Sequence, residues 1–128
     1  MPRNLNKIVI KGRIPSKKNS RCLFVRGGKL FNIPSKKYAE WHKEALNQLP
    51  EQEIEKSISK IELIALRFYA PDKRKTDLTN KAESILDLLV DAGILEDDNW
   101  FQIGKVFLYF EGVDRKNPRC EIEIRREE

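Results

Sequence analysis

The sequence predicts an α+β domain in which two main helices pack on a mixed, mostly antiparallel sheet. Three observations support this prediction. The length of 128 residues suits one domain of ordinary size. Apolar residues alternate in several short segments, as strands require, and recur at helical spacing in two longer ones. No internal repeat, low-complexity tract or Gly/Ser linker divides the chain, so we expect a single domain over residues 1–128.

The predicted elements follow the order strand, hairpin, helix, strand, helix, strand, strand. The strands are expected at residues 6–11, 21–26, 29–33, 60–69, 104–111 and 119–125, and the helices at residues 36–48 and 80–92.

Turn and capping residues delimit the first four elements. Gly27 and Gly28 tolerate the positive φ angles of a tight turn, so the segments that flank them are predicted to form a hairpin. Ser35 is suited to cap the first helix, and Pro50 closes that segment.

Proline and glycine also mark the ends of elements in the second half of the chain. The fourth strand is too continuously apolar for a sheet with one wet face, so we expect it to be central, with Pro71 after it. Gly93 follows the second helix where a left-handed cap belongs. In the last strand, Cys120, Ile122 and Ile124 share one face.

The charge is unevenly distributed along the chain. The net charge is +5, yet residues 1–39 contain eleven Lys and Arg and no acid, which leaves the remainder net negative. Such a run is often only a solvated face, but here strand patterning and aromatic residues accompany it. A folded basic surface is typical of a protein that neutralises phosphates.

Composition excludes several classes of protein. The longest apolar run has five residues, whereas a membrane span needs about twenty, so we expect a cytoplasmic protein with no membrane partner. Two cysteines, Cys22 and Cys120, cannot form a disulfide framework. With His42 as the one histidine, no cage of thiolates and imidazoles can form, so a metal would be a hard cation held by carboxylates.

Acidic residues flank the second predicted helix. A basic loop over residues 71–79 brings Asp77 to the start of the helix, and Glu96, Asp97 and Asp98 follow its end. Adjacent acids repel one another unless a cation or basic neighbours offset their charge. Carboxylates beside a basic surface suit Mg²⁺ and a phosphodiester together, because the metal polarises the phosphate and activates water.

This stretch resembles the RusA family of Holliday-junction resolvases, which are phage and bacterial endodeoxyribonucleases. The matching motifs are the basic run Lys73-Arg74-Lys75, then Asp77, Asn80, Asp87-Leu88-Leu89, Gly93 and the pair Asp97-Asp98. The segment from Pro15 and Ser16 through Asn19 to Arg21 is similar to a second family motif.

The resemblance implies a homodimeric, Mg²⁺-dependent nuclease that cuts four-way DNA junctions symmetrically, in the cytoplasm of a bacterial or phage-infected cell. Mn²⁺ is a possible substitute, and no organic cofactor is implied. The family acids that act as metal ligands match Asp77 and Asp98.

Two positions depart from the family pattern. Thr79 replaces the second Asp of the motif, and Glu83 occupies the position of a Lys. Because residues four apart lie on the same face of a helix, the carboxylate of Glu83 can point over the same part of the surface as residue 79. We therefore assign catalysis to Asp77, Asp98, Glu83 and Lys81, where Lys81 supplies the displaced positive charge. The expected metal ligands are Asp77, Glu83, Asp97 and Asp98.

DNA contacts are expected from two basic loops. These contain Lys17, Lys18, Asn19 and Arg21 in the first loop, and Lys73, Arg74 and Lys75 in the second. Basic side chains with neutral donors beside them are typical of phosphate contacts, although they can also be merely solvated.

Several of these residues can instead have purely structural roles. Glu83 can complete a capping box begun by Asn80, and Asp77 can simply favour the helix N-terminus. Asp87 and Asp91 are expected to be exposed helix acids, His42 a surface or satisfied core residue, and Asp97-Asp98 can be an ordinary polar turn. Trp41 and Tyr38 are expected in the core, and Cys22 and Cys120 as small buried side chains. Trp100 and Phe101 are expected in the core or in a dimer interface, with base stacking as the other role.

Two further functions remain open. Thr79 favours a DNA-binding protein of the same fold that is catalytically weakened or inactive, which would bind junctions without cutting them. A scaffold or inhibitor with an incidentally basic surface would bind DNA only at low salt and without preference for junctions.

Overall fold

The computed structural model describes residues 5–16 and 21–127, and for residues 5, 21–24 and 31–34 it describes the backbone alone. Its elements are β1 (Leu5–Lys11), β2 (Arg21–Arg26), β3 (Lys29–Pro34), α1 (Lys36–Asn47), β4 (Ile61–Ala70), α2 (Leu78–Asp91), β5 (Ile103–Val113) and β6 (Arg119–Arg126). The predicted class is confirmed, since two helices accompany a mixed sheet.

The main sheet has the order β1-β6-β4-β5, and β2 and β3 form a separate two-stranded sheet. Strand β6 pairs antiparallel with both β1 and β4, whereas β4 and β5 run parallel. A parallel pair needs a crossover, which α2 supplies. The prediction that β4 is central is therefore confirmed.

One hydrophobic cluster joins the sheet to both helices. Strand β6 alternates as predicted, with Cys120, Ile122 and Ile124 buried. Ile85 and Leu88 of α2 pack into the same cluster, and both have no exposed surface. Burial also raises the pKa of the Cys120 thiol, which keeps that side chain a neutral core residue.

The glycine turns and the first helix cap agree with the sequence. Gly27 and Gly28 have φ of 60° and 78° between the paired residues Arg26 and Lys29. Ser35 caps α1, since its side chain accepts the backbone N–H of Tyr38 at 3.1 Å.

Helix α2 begins two residues before the predicted start, which corrects one interpretation. Its N-cap is Asp77, whose carboxylate accepts the backbone N–H of Thr79 at 3.0 Å. Asn80 is therefore a buried residue of the first turn, and a capping box from Asn80 to Glu83 is wrong. The reason is that the carboxylate of Asp77 satisfies an N–H group that the helix itself leaves free.

Several aromatic side chains differ in burial from the sequence expectation. Tyr38 is buried and Trp41 partly so, as predicted. Trp100 and Phe101 are 84% and 85% exposed, so the prediction that they lie in the core of this chain is wrong. The edge strand β5 also exposes apolar residues, among them Phe107 and Phe110. Among the described residues, no helix has the length and apolarity that a membrane crossing requires.

Candidate nucleic-acid interface and acidic residues

A cationic cavity of about 430 Å³ lies where β4, β5 and the start of α2 come together. Its lining includes the apolar side chains of Phe68, Leu78 and Phe110. Six basic residues contribute to its walls, namely Arg13, Lys73, Arg74, Lys75, Lys81 and Arg119. Asp72 is the acid among its lining residues, so the potential inside favours an anion.

Asp72 is held by two of these cations. Arg13 donates to the Asp72 carboxylate, and Arg74 donates to it through its backbone N–H at 3.0 Å and its Nε at 3.2 Å. These contacts, with the Arg13 hydrogen bond contributing most, hold the pKa of Asp72 well below its ordinary value. The contacts fix the loop after β4 against the segment that follows β1.

We expect Asp72→Asn to be less stable than wild type near pH 6, by an amount that shrinks as the pH falls below about 4. The pKa of Asp72 is lower in the folded state, so its contribution is present above the ordinary carboxyl pKa and is lost as pH falls through the folded value. Urea unfolding of both proteins between pH 6 and pH 2 measures this. Glu53→Gln, at an exposed acid, is the control. A difference that stays constant with pH would contradict the prediction.

The first turns of α2 hold the segment that leads into the first basic loop. Lys81 Nζ donates to the carbonyl of Ile14, and Ser84 Oγ donates to the carbonyl of Pro15 at 2.6 Å. Burial lowers the pKa of Lys81, and the nearby Arg13 lowers it further. Lys81, predicted to be catalytic, thus lies in the cavity wall and also anchors the chain at residues 14–15.

The structure gives different information on the two basic loops. Lys73, Arg74 and Lys75 are exposed and line the cavity, as do Thr76 and Leu78 on either side of Asp77 in the chain. Lys17, Lys18 and Asn19 lie outside the described residues, and Arg21 begins β2 without a described side chain.

The acids predicted to hold a metal do not meet within one chain. Asp77 caps the start of α2, and its Oδ1 also accepts the Thr79 hydroxyl at 2.7 Å. Asp97 and Asp98 follow the other end of the helix, where Leu95 bridges to Ile58 ahead of β4. Since α2 has 14 residues, about 20 Å of helix separates the two groups.

Asp97, Asp98 and Glu83 are all exposed. Asp97 accepts the backbone N–H of Asp98 at 2.7 Å and the Asn99 amide at 2.9 Å. The first of these contacts contributes most to lowering the pKa of Asp97. These exposed carboxylates are therefore available to an ion or to another chain.

Sequence reasoning missed several residues of the cavity. Arg13 belonged to the acid-free segment but was not assigned a role, and Asp72 and Arg119 carried no distinguishing local signal. Arg119 lies over the ring of Tyr69 at 3.7 Å and pairs with Asp114 and Glu121. Its position depends on the pairing of β6 with β4, which no local pattern specifies.

Two comparisons with known proteins identify the family of this chain. Residues 13–125 match the family model described as endodeoxyribonuclease RusA. The crossover junction endodeoxyribonuclease RusA of Aquifex aeolicus (strain VF5) is 29% identical over 87 residues, which cover 68% of each protein. The matched residues include the basic loop, α2 and the acids that follow it. On this evidence the chain belongs to the RusA family of endodeoxyribonucleases.

Proposed function

We propose that the protein is a metal-dependent endodeoxyribonuclease that resolves four-way DNA junctions by symmetric hydrolysis of phosphodiester bonds. The observation that carries this proposal is the position of Asp77 between residues that line the cationic cavity, in a chain of the RusA family. The similar protein of Aquifex aeolicus is named for crossover junctions, which supports the same substrate here.

The basic loop would hold the DNA backbone beside Asp77. Lys73 and Lys75 are exposed, and Lys81 adds a third positive charge in the cavity wall. Arg13 and Arg74 both pair with Asp72, so one negative charge faces two positive charges and the cavity keeps an excess of positive charge. Contacts of this kind position a phosphodiester without reading its sequence.

The acids suit Mg²⁺ in their chemistry but are not gathered in one chain. Carboxylate oxygens are the ligands that Mg²⁺ prefers, and Mn²⁺ accepts them as well. Asp77, however, caps the start of α2, whereas Asp98 follows its end, and the helix between them is about 20 Å long. A single chain therefore does not hold one ion between these two residues.

A homodimer removes this difficulty if Asp77 of one chain and Asp98 of the other serve the same site. Two-fold symmetry then produces two identical sites, as two symmetric cuts require. Trp100 and Phe101, which follow Asp98, are almost fully exposed, and a second chain would cover them. Mg²⁺ held by such a site would polarise the phosphate and activate water.

Cleavage of a synthetic four-way junction tests the proposal directly. We expect paired symmetric cuts in Mg²⁺ or Mn²⁺, no cuts in EDTA, and a dimer by sedimentation at micromolar concentration. Wild-type protein that binds junctions but does not cut them in either metal would contradict the enzymatic assignment. A monomer would contradict the two-chain site.

Thr79 favours a second candidate, a junction-binding protein with little or no activity. The Thr79 hydroxyl donates a hydrogen bond to Asp77 Oδ1 at 2.7 Å. The family motif has an acid at the position of Thr79. The same cleavage assay separates the candidates, because the binding protein would keep its affinity for junctions and leave them intact.

We expect Lys73→Gln/Lys75→Gln to weaken junction binding and to lower its dependence on salt. Each phosphate contact contributes about 0.9 to the slope of log affinity against log salt, so the double variant should lose up to about 1.8. Binding titrations between 50 and 200 mM salt would measure the slope. The control is Lys37→Gln/Lys43→Gln, which removes the same charge from exposed positions of α1. An equal loss in both double variants would assign the effect to net charge alone.

A further inference from the structure

We propose that His42, Asp87 and Asp91 form a second cation site, between α1 and α2, for a divalent ion that accepts imidazole, such as Zn²⁺. Each residue offers one ligand atom, and these atoms lie within 4.8 Å of one another. Among the described residues, this is the group of potential ligands that the fold brings together. None of the metal ligands predicted from sequence belongs to it.

The spacing of the residues on two rigid helices creates the group. Asp87 and Asp91 are four residues apart on α2, and Tyr38 and His42 are four apart on α1, so each pair shares one helix face. The two faces meet, since His42 Nε2 lies 2.9 Å from Asp91 Oδ2 and Tyr38 OH donates to Asp87 Oδ2 at 3.4 Å. Ligands carried on packed helices are held more precisely than ligands on loops.

The donor set selects the class of ion. Zinc sites that keep a position for water have three protein ligands, and imidazole nitrogens and carboxylate oxygens are both among the ligands that Zn²⁺ accepts, whereas Mg²⁺ favours oxygen ligands alone. A bound ion would offset the charge of two acids that stand one turn apart. The His42 side chain is 20% exposed and that of Asp91 50%, so an ion and its water can enter from solvent.

Tyr38 donates a hydrogen bond to Asp87, one of the proposed ligands. Its hydroxyl donates to Asp87 Oδ2 at 3.4 Å, and ligating carboxylates are commonly held by hydrogen bonds of this kind. The rings of Tyr38 and Trp41 stand 6.1 and 6.3 Å from the His42 ring and wall one side of the group.

The site shares no ligand with the proposed nuclease site. Asp87 follows Asp77 by ten residues, which is about 15 Å along α2. Zinc binding can therefore be measured without DNA and without turnover, and its failure would leave the nuclease proposal unaffected.

The chain's one histidine makes the experiment specific. Untagged protein is titrated with ZnCl₂ by calorimetry, and the His42 ring resonances are followed by NMR. We expect one Zn²⁺ per chain at this site, with a shift of the His42 resonances. His42→Gln and Asp91→Asn should each weaken this binding at least tenfold, whereas Glu44→Gln, at an exposed acid of α1, should leave it unchanged.

Two results would overturn the proposal. One is a set of His42 resonances that does not move at saturating ZnCl₂. The other is equal zinc affinity in wild type and Asp91→Asn, a variant that changes only a half-exposed side chain and so keeps the test open if His42→Gln does not fold. Either result would leave the three residues as a hydrogen-bonded tie between the helices.

Discussion

Asp77→Asn is expected to cut four-way junctions roughly 1000-fold more slowly than wild type while keeping its fold. Loss of a carboxylate from a catalytic metal site removes several kcal/mol of transition-state stabilisation, and each 1.4 kcal/mol is a factor of ten in rate. Asn caps a helix about as well as Asp does, so it can still accept the Thr79 N–H. Single-turnover cleavage in Mg²⁺ measures the rate, and urea unfolding checks the fold.

Two further variants define the role of Asp77. Asp77→Ala should lose the same activity and also about 1 kcal/mol of stability, because it removes the cap as well. Glu53→Gln, which neutralises an exposed acid far along the chain, should cut at the wild-type rate. If Asp77→Asn cut as fast as wild type, the carboxylate would serve only as a helix cap.

A mixture of Asp77→Asn and Asp98→Asn tests whether one site uses acids from two chains. Each variant alone should cut roughly 1000-fold more slowly than wild type. In a mixed dimer, one site would combine both substitutions and the other would have neither. Random mixing then restores roughly a quarter of the wild-type sites, and these produce single nicks in place of paired cuts. If the mixture stayed as slow as each variant alone after subunit exchange had been verified, the two acids would not share a site across chains.

The largest expected loss of stability comes from Leu88→Ala. Leu88 has no exposed surface and packs in the cluster between α2 and the sheet. Truncation of such a side chain leaves a cavity and costs about 2–5 kcal/mol, against a total stability of about 5–15 kcal/mol for a typical domain. Urea unfolding should therefore show a much lower midpoint, with a similar slope if the unfolded surface is unchanged.

Leu30→Ala is the matched control for this prediction. It deletes the same atoms from a side chain that is 70% exposed in the β2–β3 hairpin. Its unfolding free energy should change by no more than about 0.5 kcal/mol. Equal losses in the two variants would mean that Leu88 does not contribute through burial.

Local patterns were sufficient for the elements because each pattern reports a local constraint. Alternation in β6 and helical spacing in α2 reflect which face must leave water, and both predictions are confirmed. The start of α2 was misplaced because two polar residues, Asp77 and Asn80, could each cap it. The choice depends on burial, since Asn80 lies in the first turn against the core while Asp77 remains exposed.

By itself, the sequence determined the fold class, the order of the elements, the basic loop and the resemblance to a nuclease family. These follow from periodicity, charge and motif spacing, which involve residues close together in the chain. Only the tertiary structure decided that Arg13, Asp72 and Arg119 line one cavity, that Asp77 and Asp98 lie at opposite ends of α2, and that His42 meets Asp87 and Asp91. The physical reason is that sheet pairing and helix packing set distances between segments, and these distances depend on the whole core.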